Sequence, residues 1–255
     1  MVLKSPRCAH IEAPDLQHST YLTRLDGQTL WLGFIHIKGL DKKLIQALLD
    51  QRSKQPFTNQ EDFTQRVPAG LEQLLIRVGE FRGLGSTKKK LLWQAHALVN
   101  NYTRHLTEVD LFTLPELNWS LPALWQDALE DTYDELKLLG FPLRSPFALL
   151  AGAVQGIRAA QLRGHAGKWV AMTGYPLACK RITAKNGRPI VFGYFMDVAR
   201  QYFDTTYFPQ TQERYSLRGA GLYLLEGKVV LEYGFPSLEV RRLEKCQFLG
   251  DSREV

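Results

Sequence analysis

The sequence predicts an α+β protein of more than one domain, in which an all-α module precedes a small five-stranded β-barrel. Up to about residue 104, apolar residues recur at helical spacing, and two glycine turns each lead into a basic helical stretch. From residue 168 the apolar period changes to two, and turn signals separate five short runs. A chain of 255 residues can form one large domain or two smaller ones.

Charge divides the chain in the same way. Residues 33–104 hold 12 Lys and Arg against six Asp and Glu, and residues 151–255 hold 15 against nine, so each stretch has a net charge of +6. Residues 105–150 hold two against eight, a net charge of −6, and residues 1–32 are neutral. This asymmetry predicts anionic partners for the two basic stretches.

The composition predicts a cytoplasmic, nucleoid-associated protein without a membrane partner. No apolar run approaches the roughly 20 residues of a membrane span, and residues 1–6 lack the apolar core of a signal peptide. Cys8, Cys179 and Cys246 are odd in number and have no metal-ligand spacing, so we expect reduced thiols. We predict no metal and no cofactor.

The first module is helical along its length. We assign residues 1–30 to an irregular lead-in with a hairpin at Asp26-Gly27, and residues 31–104 to the module itself. Apolar spacing predicts helices over 40–52 and 70–78, and Asn59 is a candidate cap for a short helix between them. Ser86 or Thr87 is a suitable cap for a further helix from residue 88 towards 100.

Both glycine turns are typical of helix-hairpin-helix motifs, at 34–43 and 75–90. Glycine lets the backbone turn sharply, and the next helix offers unpaired N–H groups and its positive dipole end to a phosphate. Lysines after the turn add charge without reading a base. The predicted duplex-binding residues are Lys38, Gly39, Lys42, Lys43, Gly83, Gly85, Ser86, Thr87, Lys88, Lys89 and Lys90.

We assign residues 105–165 to an acidic linker that contains a helix over 125–139. Its acidic side chains cluster at helical spacing, and we interpret them as a solvated face. Paired carboxylates can also hold metal for phosphoryl chemistry, which leaves a nuclease as a further hypothesis. The residues concerned are Asp127, Asp131, Asp134 and Glu135, with His96, His105 and His165 as histidine candidates at no related spacing. We predict no catalytic residue.

Residues 166–246 are predicted to form the barrel, followed by a tail over 247–255. The alternating runs are 168–179, 189–197, 201–208, 219–225 and 228–234, with turns at Asn186-Gly187 and Gly227. Residues 210–217 could hold a short helix. This order fits a Greek-key barrel of the OB type, which binds single-stranded nucleic acid; a β-sandwich or an incomplete sheet is the alternative.

The first loop of this barrel, 180–188, is strongly basic, and Arg181, Lys185 and Arg188 are the predicted single-strand contacts. Three aromatic residues nearby, Phe192, Tyr194 and Tyr207, could stack bases. Aromatic residues on a period of two also form barrel cores, so both interpretations stay open.

Several local sequences together resemble the C-terminal part of the bacterial replicative DNA polymerase III alpha subunit, from about residue 12 to 245. The first hairpin is matched at 32–40, Pro56-Phe57 and 61–63, and the second hairpin at 75–81 and 88–93. The junction before the barrel is matched at 140–143 and Ser145-Pro146, and the end of the third strand at Phe208-Pro209. The resemblance implies that the hairpins hold primer–template duplex, that the barrel guides single-stranded template, and that other polymerase III holoenzyme subunits are partners. The family's polymerase site lies upstream of these motifs, so we expect no nucleotide transfer.

The resemblance also implies a segment that docks into the ring-shaped sliding clamp just after the hairpins. Glu108, Val109, Asp110, Leu111 and Phe112 resemble that pentapeptide, with Glu108 where the family usually has Gln. Leu111 and Phe112 would be its apolar anchors. The alternative is a stand-alone DNA repair or recombination accessory protein built from the same modules, in which Leu111 and Phe112 pack on their own domain.

Overall fold

The computed structural model describes residues 10–67, 71–79, 87–105, 128–184, 187–215, 217–251 and 253, with the backbone alone at 97–105 and 128. The chain forms two compact units, Met1–Leu143 and Arg144–Val255. No helix in the described part of the chain is both long and apolar enough to cross a bilayer.

The first unit is helical with a small sheet at its start. Strands β1 (His10–Glu12), β2 (Arg24–Asp26) and β3 (Thr29–Trp31) form the order β1-β3-β2, and Gly27 at φ +59° makes the expected hairpin between β2 and β3. The helices that follow are α1 (Lys42–Lys54), α2 (Gln60–Arg66), α3 (Leu71–Val78), α4 (Lys88–His105) and α5 (Ala128–Leu138).

Local signals place these helices as the sequence predicts. The Asn59 side chain accepts a hydrogen bond from the Asp62 N–H at 2.8 Å and caps α2. Gly79, at φ +90°, ends α3. One core holds the unit together, with Phe34, Ile45, Phe63, Leu75, Ile76, Ala95 and Leu138 among its buried side chains. Helix α5 packs against this core through Leu138.

The second unit is a closed five-stranded barrel, as predicted. Strands β4 (Trp169–Thr183), β5 (Pro189–Met196), β6 (Tyr202–Tyr207), β7 (Tyr223–Glu232) and β8 (Phe235–Lys245) close in the order β4-β5-β6-β8-β7. Strands β6 and β8 are parallel and all other pairs are antiparallel. Helix α6 (Pro209–Arg214) lies between β6 and β7, where a short helix is expected. This is the OB topology.

The prediction of the last two strands is wrong. Residues 219–225 and 228–234 are not two strands joined at Gly227, since residues 223–232 form the single strand β7, and the fifth strand is 235–245. The turn lies at Tyr233-Gly234, both with positive φ. Gly227 sits at an irregularity in the β7–β8 pairing, where a Cβ would lie 2.2 Å from the Glu239 carbonyl oxygen. Glycine is needed there for close strand approach and not for a turn.

Candidate nucleic-acid interface

The first hairpin turn presents a row of exposed lysines. Gly39 turns the chain at φ +82°, and the Asp41 side chain caps α1 by accepting from the Lys43 N–H at 2.6 Å. Lys38, Lys42 and Lys43 are all exposed. The structure therefore brings the residues predicted for this hairpin together at the positive end of a 13-residue helix.

The end of α5 and the residues after it support this turn. The Lys38 N–H donates to the Leu138 carbonyl oxygen at 2.7 Å, and the His36 and Phe141 rings meet edge to face at 6.1 Å. Because the Lys38 amide is occupied, this residue can reach a phosphate only through its side chain. The support comes from residues about one hundred positions away in the chain, so local sequence patterns do not reveal it.

The second hairpin is described only at its two sides. The Gly79 N–H donates to the carbonyl oxygens of Leu75 and Ile76 at 3.1 and 3.0 Å. Thr87 precedes α4, and its hydroxyl accepts from the Lys90 N–H at 3.4 Å, which agrees with the expected cap. The predicted contacts Gly83, Gly85 and Ser86 lie outside the described residues.

Two of the three consecutive lysines at the start of α4 are held by carboxylates of α5. Lys88 Nζ lies 3.0 Å from Asp131 Oδ1 and also contacts Asp134, and Lys89 Nζ lies 2.9 Å from Glu130 Oε1. The Lys88 side chain is only 11% exposed. Phosphate contact by Lys88 and Lys89 stays a prediction, and these ion pairs weigh against it.

The acidic side chains of α5 are therefore not the solvated face that the sequence suggests. Asp134 is fully buried, and its Oδ1 accepts from Arg77 Nε and Nη2 at 3.1 and 2.7 Å. Glu135 is also buried and accepts from the Leu143 N–H at 2.7 Å. Buried carboxylates need such partners. We call Glu130, Asp131 and Asp134 the acidic cluster of α5; it binds cations of α3 and α4.

Lys90 differs from its two neighbours in being exposed. It lies in the first turn of α4, where the ion pairs to the acidic cluster of α5 are made by Lys88 and Lys89. Of the three lysines predicted to bind phosphate at the second hairpin, Lys90 is therefore the most accessible to a phosphate.

The outer face of the barrel carries a second candidate surface. Tyr194 on β5 and Tyr202 on β6 are 41% and 57% exposed, and their rings stack at 5.4 Å between centroids with 22° between planes. Phe192 is 40% exposed two residues before Tyr194, so it lies on the same face. We call Phe192, Tyr194 and Tyr202 the aromatic face. Tyr207 is the exception among the predicted stacking residues.

Tyr207 belongs to the barrel core and cannot stack a base. Its side chain is 3% exposed, and it packs among Phe195, Phe203 and Val240. Burial raises the pKa of the Tyr207 hydroxyl well above its ordinary value, so the group stays neutral. The alternation of β6, in which Tyr202 points out and Tyr207 points in, decides between the two roles.

The strand register extends the aromatic face to the β7–β8 hairpin. Asp204 of β6 lies opposite Ser237 of β8 in a parallel pair, so Tyr202 and Phe235, two residues earlier, share the outer face. Phe235 is 73% exposed and Tyr233, at the tip of the hairpin, is fully exposed. Sequence reasoning missed Tyr202, Tyr233 and Phe235. The pattern at 233–235 could have indicated an exposed hairpin had the strands been placed correctly.

The β4–β5 hairpin adds positive charge beside this face. Lys180 lies opposite Phe192 in the strand register, and Arg181 and Arg188 are exposed. The third predicted contact, Lys185, lies outside the described residues, as does the predicted clamp segment 108–112. Lys180 and Phe192 thus share one face of the barrel, whereas Arg181 lies opposite Val191 and alternates to the other face.

Comparisons with known proteins agree with the motifs and the barrel. A family model described as a helix-hairpin-helix motif matches residues 8–91. No curated protein matches the chain. The single-stranded DNA-binding (SSB) domain of a Synechococcus protein is similar at 13% identity and a TM-score of 0.27, covering 30% of this chain and 92% of that one.

Two further solved structures are similar at the same level. The single-stranded DNA-binding protein of Thermus aquaticus is similar at 18% identity and a TM-score of 0.29, covering 33% of this chain and 42% of that one. The second OB-fold domain of replication protein A from Methanococcus maripaludis is similar at 12% identity and a TM-score of 0.25, covering 31% of this chain and 85% of that one. Similarity this low does not say what the chain binds. Its helix-hairpin-helix motif and its OB barrel rest on the match over 8–91 and on the strand order itself.

Proposed function

We propose that this chain binds DNA without sequence preference, with its first hairpin on duplex and its barrel on single strand. The observation that carries the proposal is that the chain has two exposed surfaces of different chemistry: the lysines around Gly39, and the stacked rings of Tyr194 and Tyr202. The first suits a phosphate backbone and the second suits unpaired bases. A primer–template junction offers both.

Duplex contact is supported by the chemistry of the first hairpin. Lys42 and Lys43 begin α1, Lys38 lies four residues before it, and all three are exposed. Such groups neutralise phosphates, release counterions and carry no sequence information. Binding should therefore weaken steeply with salt and change little with duplex sequence.

The test of duplex contact uses two lysines of the same helix. Lys43→Glu places an acid in the first turn of α1, which the helix dipole tolerates, and Lys54→Glu changes an exposed lysine at the far end. We expect Lys43→Glu to weaken duplex binding in fluorescence anisotropy and to lower the salt slope by about 0.9. Equal affinities of both variants and the wild type would remove the first hairpin from the proposal.

Single-strand contact is supported by the aromatic face and by its charged border. An exposed tyrosine ring loses water contact when a base covers it, and such stacking contributes about 1–3 kcal/mol per base. Lys180, opposite Phe192, supplies a cation at the border. Together they fit a strand whose bases stack on the face while its phosphates follow the β4–β5 hairpin.

Tyr194→Ala and Tyr202→Ala test this contact against Trp169→Ala. Trp169 is 64% exposed, but it lies where β4 pairs with β7, away from β5 and β6. Each tyrosine variant should weaken binding of an oligothymidylate by about 1–3 kcal/mol, or roughly 5- to 150-fold. The proposal fails for the barrel if Trp169→Ala costs as much as either tyrosine variant.

The finer proposal is that the chain serves as the DNA-binding and clamp-tethering C-terminal part of a polymerase III alpha subunit. It rests on the ordered motifs of the sequence and on the segment 108–112. A tethered chain rebinds DNA before it diffuses away, because the clamp raises its effective concentration. Capture of the chain by the sliding clamp, lost in a Leu111→Ala, Phe112→Ala variant, would support this role. A chain that binds DNA but never the clamp would be the accessory protein instead.

A further inference from the structure

A cavity of about 350 Å³ opens on the barrel beside the β4–β5 hairpin. Ile190 and Phe208 form part of its apolar wall, and Arg188, Arg241 and Glu239 supply its charges. None of the contacts proposed above for single strands uses Phe208, Glu239 or Arg241. Its volume is at the lower end of the range for small-molecule sites, which begins at about 300 Å³.

The cavity adjoins the aromatic face through one row of the barrel. Phe192 of β5 lies opposite Thr206 of β6, and Thr206 lies opposite Glu239 of β8. Ile190 is two residues from Phe192 on the same strand and so shares its face. Two strand spacings, about 10 Å, separate Phe192 from Glu239. A strand lying across the aromatic face therefore reaches the mouth of the cavity.

The chemistry of the cavity matches one nucleotide. Phe208 and Ile190 offer an apolar surface to a base or sugar, while Arg188 and Arg241 offer guanidinium groups suited to a phosphate. Glu239 Oε1 accepts from Arg241 Nη2 at 2.6 Å, and its side chain is 20% exposed. That carboxylate competes with a phosphate for Arg241.

We propose that this cavity holds one nucleotide of the bound single strand, with its phosphate at Arg241 and Arg188 and its base against Phe208. The inference deepens the proposed single-strand function and rests on it. Glu239 acts as a carboxylate that the phosphate displaces from Arg241, so it lowers the affinity of the site. Removing the carboxylate and removing the guanidinium should consequently change affinity in opposite directions.

Three variants of β8 test this in oligothymidylate binding at several salt concentrations. Glu239→Gln should tighten binding several-fold, and Arg241→Ala should weaken it and lower the salt slope by about 0.7, the value for one phosphate of a single strand. Arg242→Ala is the matched control: Arg242 is also exposed and paired, with Glu244, but it does not line the cavity. It should leave both affinity and slope unchanged. Equal affinity of Glu239→Gln, Arg241→Ala and the wild type would overturn the inference.

A second measurement separates this site from the aromatic face. Thymidine 5′-monophosphate, titrated into the whole chain, should shift the amide resonances of Ile190, Phe208 and Glu239 in NMR spectra, more than inorganic phosphate or thymidine does. The shifts should persist in a Tyr194→Ala, Tyr202→Ala variant. If that variant loses strand binding while the mononucleotide shifts no cavity amide, the proposed function stands and the cavity site is refuted. If the wild type binds no strand but the mononucleotide shifts these amides, the proposed function and the inference both fail, and the cavity is a site for a free mononucleotide instead.

Discussion

Replacing Lys88 by Glu should unfold the first unit far more readily than the same change at Lys90. The two residues are two positions apart in the first turn of α4, but Lys88 is 11% exposed and lies between Asp131 and the fully buried Asp134. Lys88→Glu removes the cation and adds a third carboxylate to that site. Lys90 is exposed and contacts neither aspartate.

The magnitude follows from the burial of the partners. Removing one partner of a buried ion pair costs about 3–5 kcal/mol. Asp134 keeps its hydrogen bonds from Arg77, but the new carboxylate at position 88 would repel both Asp131 and Asp134 where little water screens the charges. An exposed substitution changes stability by about 0.5 kcal/mol or less. Since whole domains are stable by only about 5–15 kcal/mol, the Lys88→Glu protein should lose about a fifth or more of its free energy of unfolding.

Urea unfolding followed by circular dichroism measures both variants. We expect a large fall in the midpoint for Lys88→Glu, an unchanged midpoint for Lys90→Glu, and partial recovery when Asp131→Lys is added to Lys88→Glu, because that change restores an opposite-charge pair. A Lys88→Glu protein with the wild-type midpoint would refute the reasoning. Loss of DNA binding in Lys88→Glu would then report a lost contact, whereas in a destabilised protein it reports unfolding.

Two further predictions concern stability. Burial raises the pKa of Glu72 above its ordinary value of 4.5. Between that value and the raised pKa, the native protein therefore holds a proton that the unfolded chain has released, so stability falls as pH rises through this window. Glu72→Gln should therefore stabilise the protein at neutral pH but not well below pH 4.5. Thermal unfolding of the variant and the wild type at a series of pH values measures this difference. An equal effect of the substitution at all pH values would contradict the prediction. Gly227→Ala should destabilise the barrel by about 1–3 kcal/mol, since the new Cβ meets the Glu239 carbonyl oxygen, whereas Gly152→Ala, with open space around it, should have little effect. Equal melting temperatures for the two glycine variants would contradict that expectation.

The helices of the first unit could be predicted because their signals are local. Asn59 caps α2 through a neighbour three residues away, and Gly79 ends α3 through its own backbone conformation. The same reasoning failed at Gly227. A glycine that makes a turn and a glycine that lets two strands approach look alike in sequence, and only the contact with Glu239 in the neighbouring strand distinguishes them.

The candidate surfaces were predictable in outline and not in detail. The lysines around Gly39 are exposed as expected, and Phe192 and Tyr194 face outward. Tyr207 does not, because the register of β6 points it into the barrel.

By itself, the sequence determined the two modules, their order, the helix caps and the first basic hairpin, since each depends on residues close together in the chain. The tertiary structure decided the rest. It set Lys88 against Asp134, which lies 46 positions away, in an internal ion pair that no local sequence pattern indicates. It also joined Tyr202 to Tyr194 on one outer face of the barrel and placed Arg241 in a cavity with Phe208. The sequence shows which side chains are charged or aromatic, but whether such a side chain is exposed to solvent depends on what the fold packs against it.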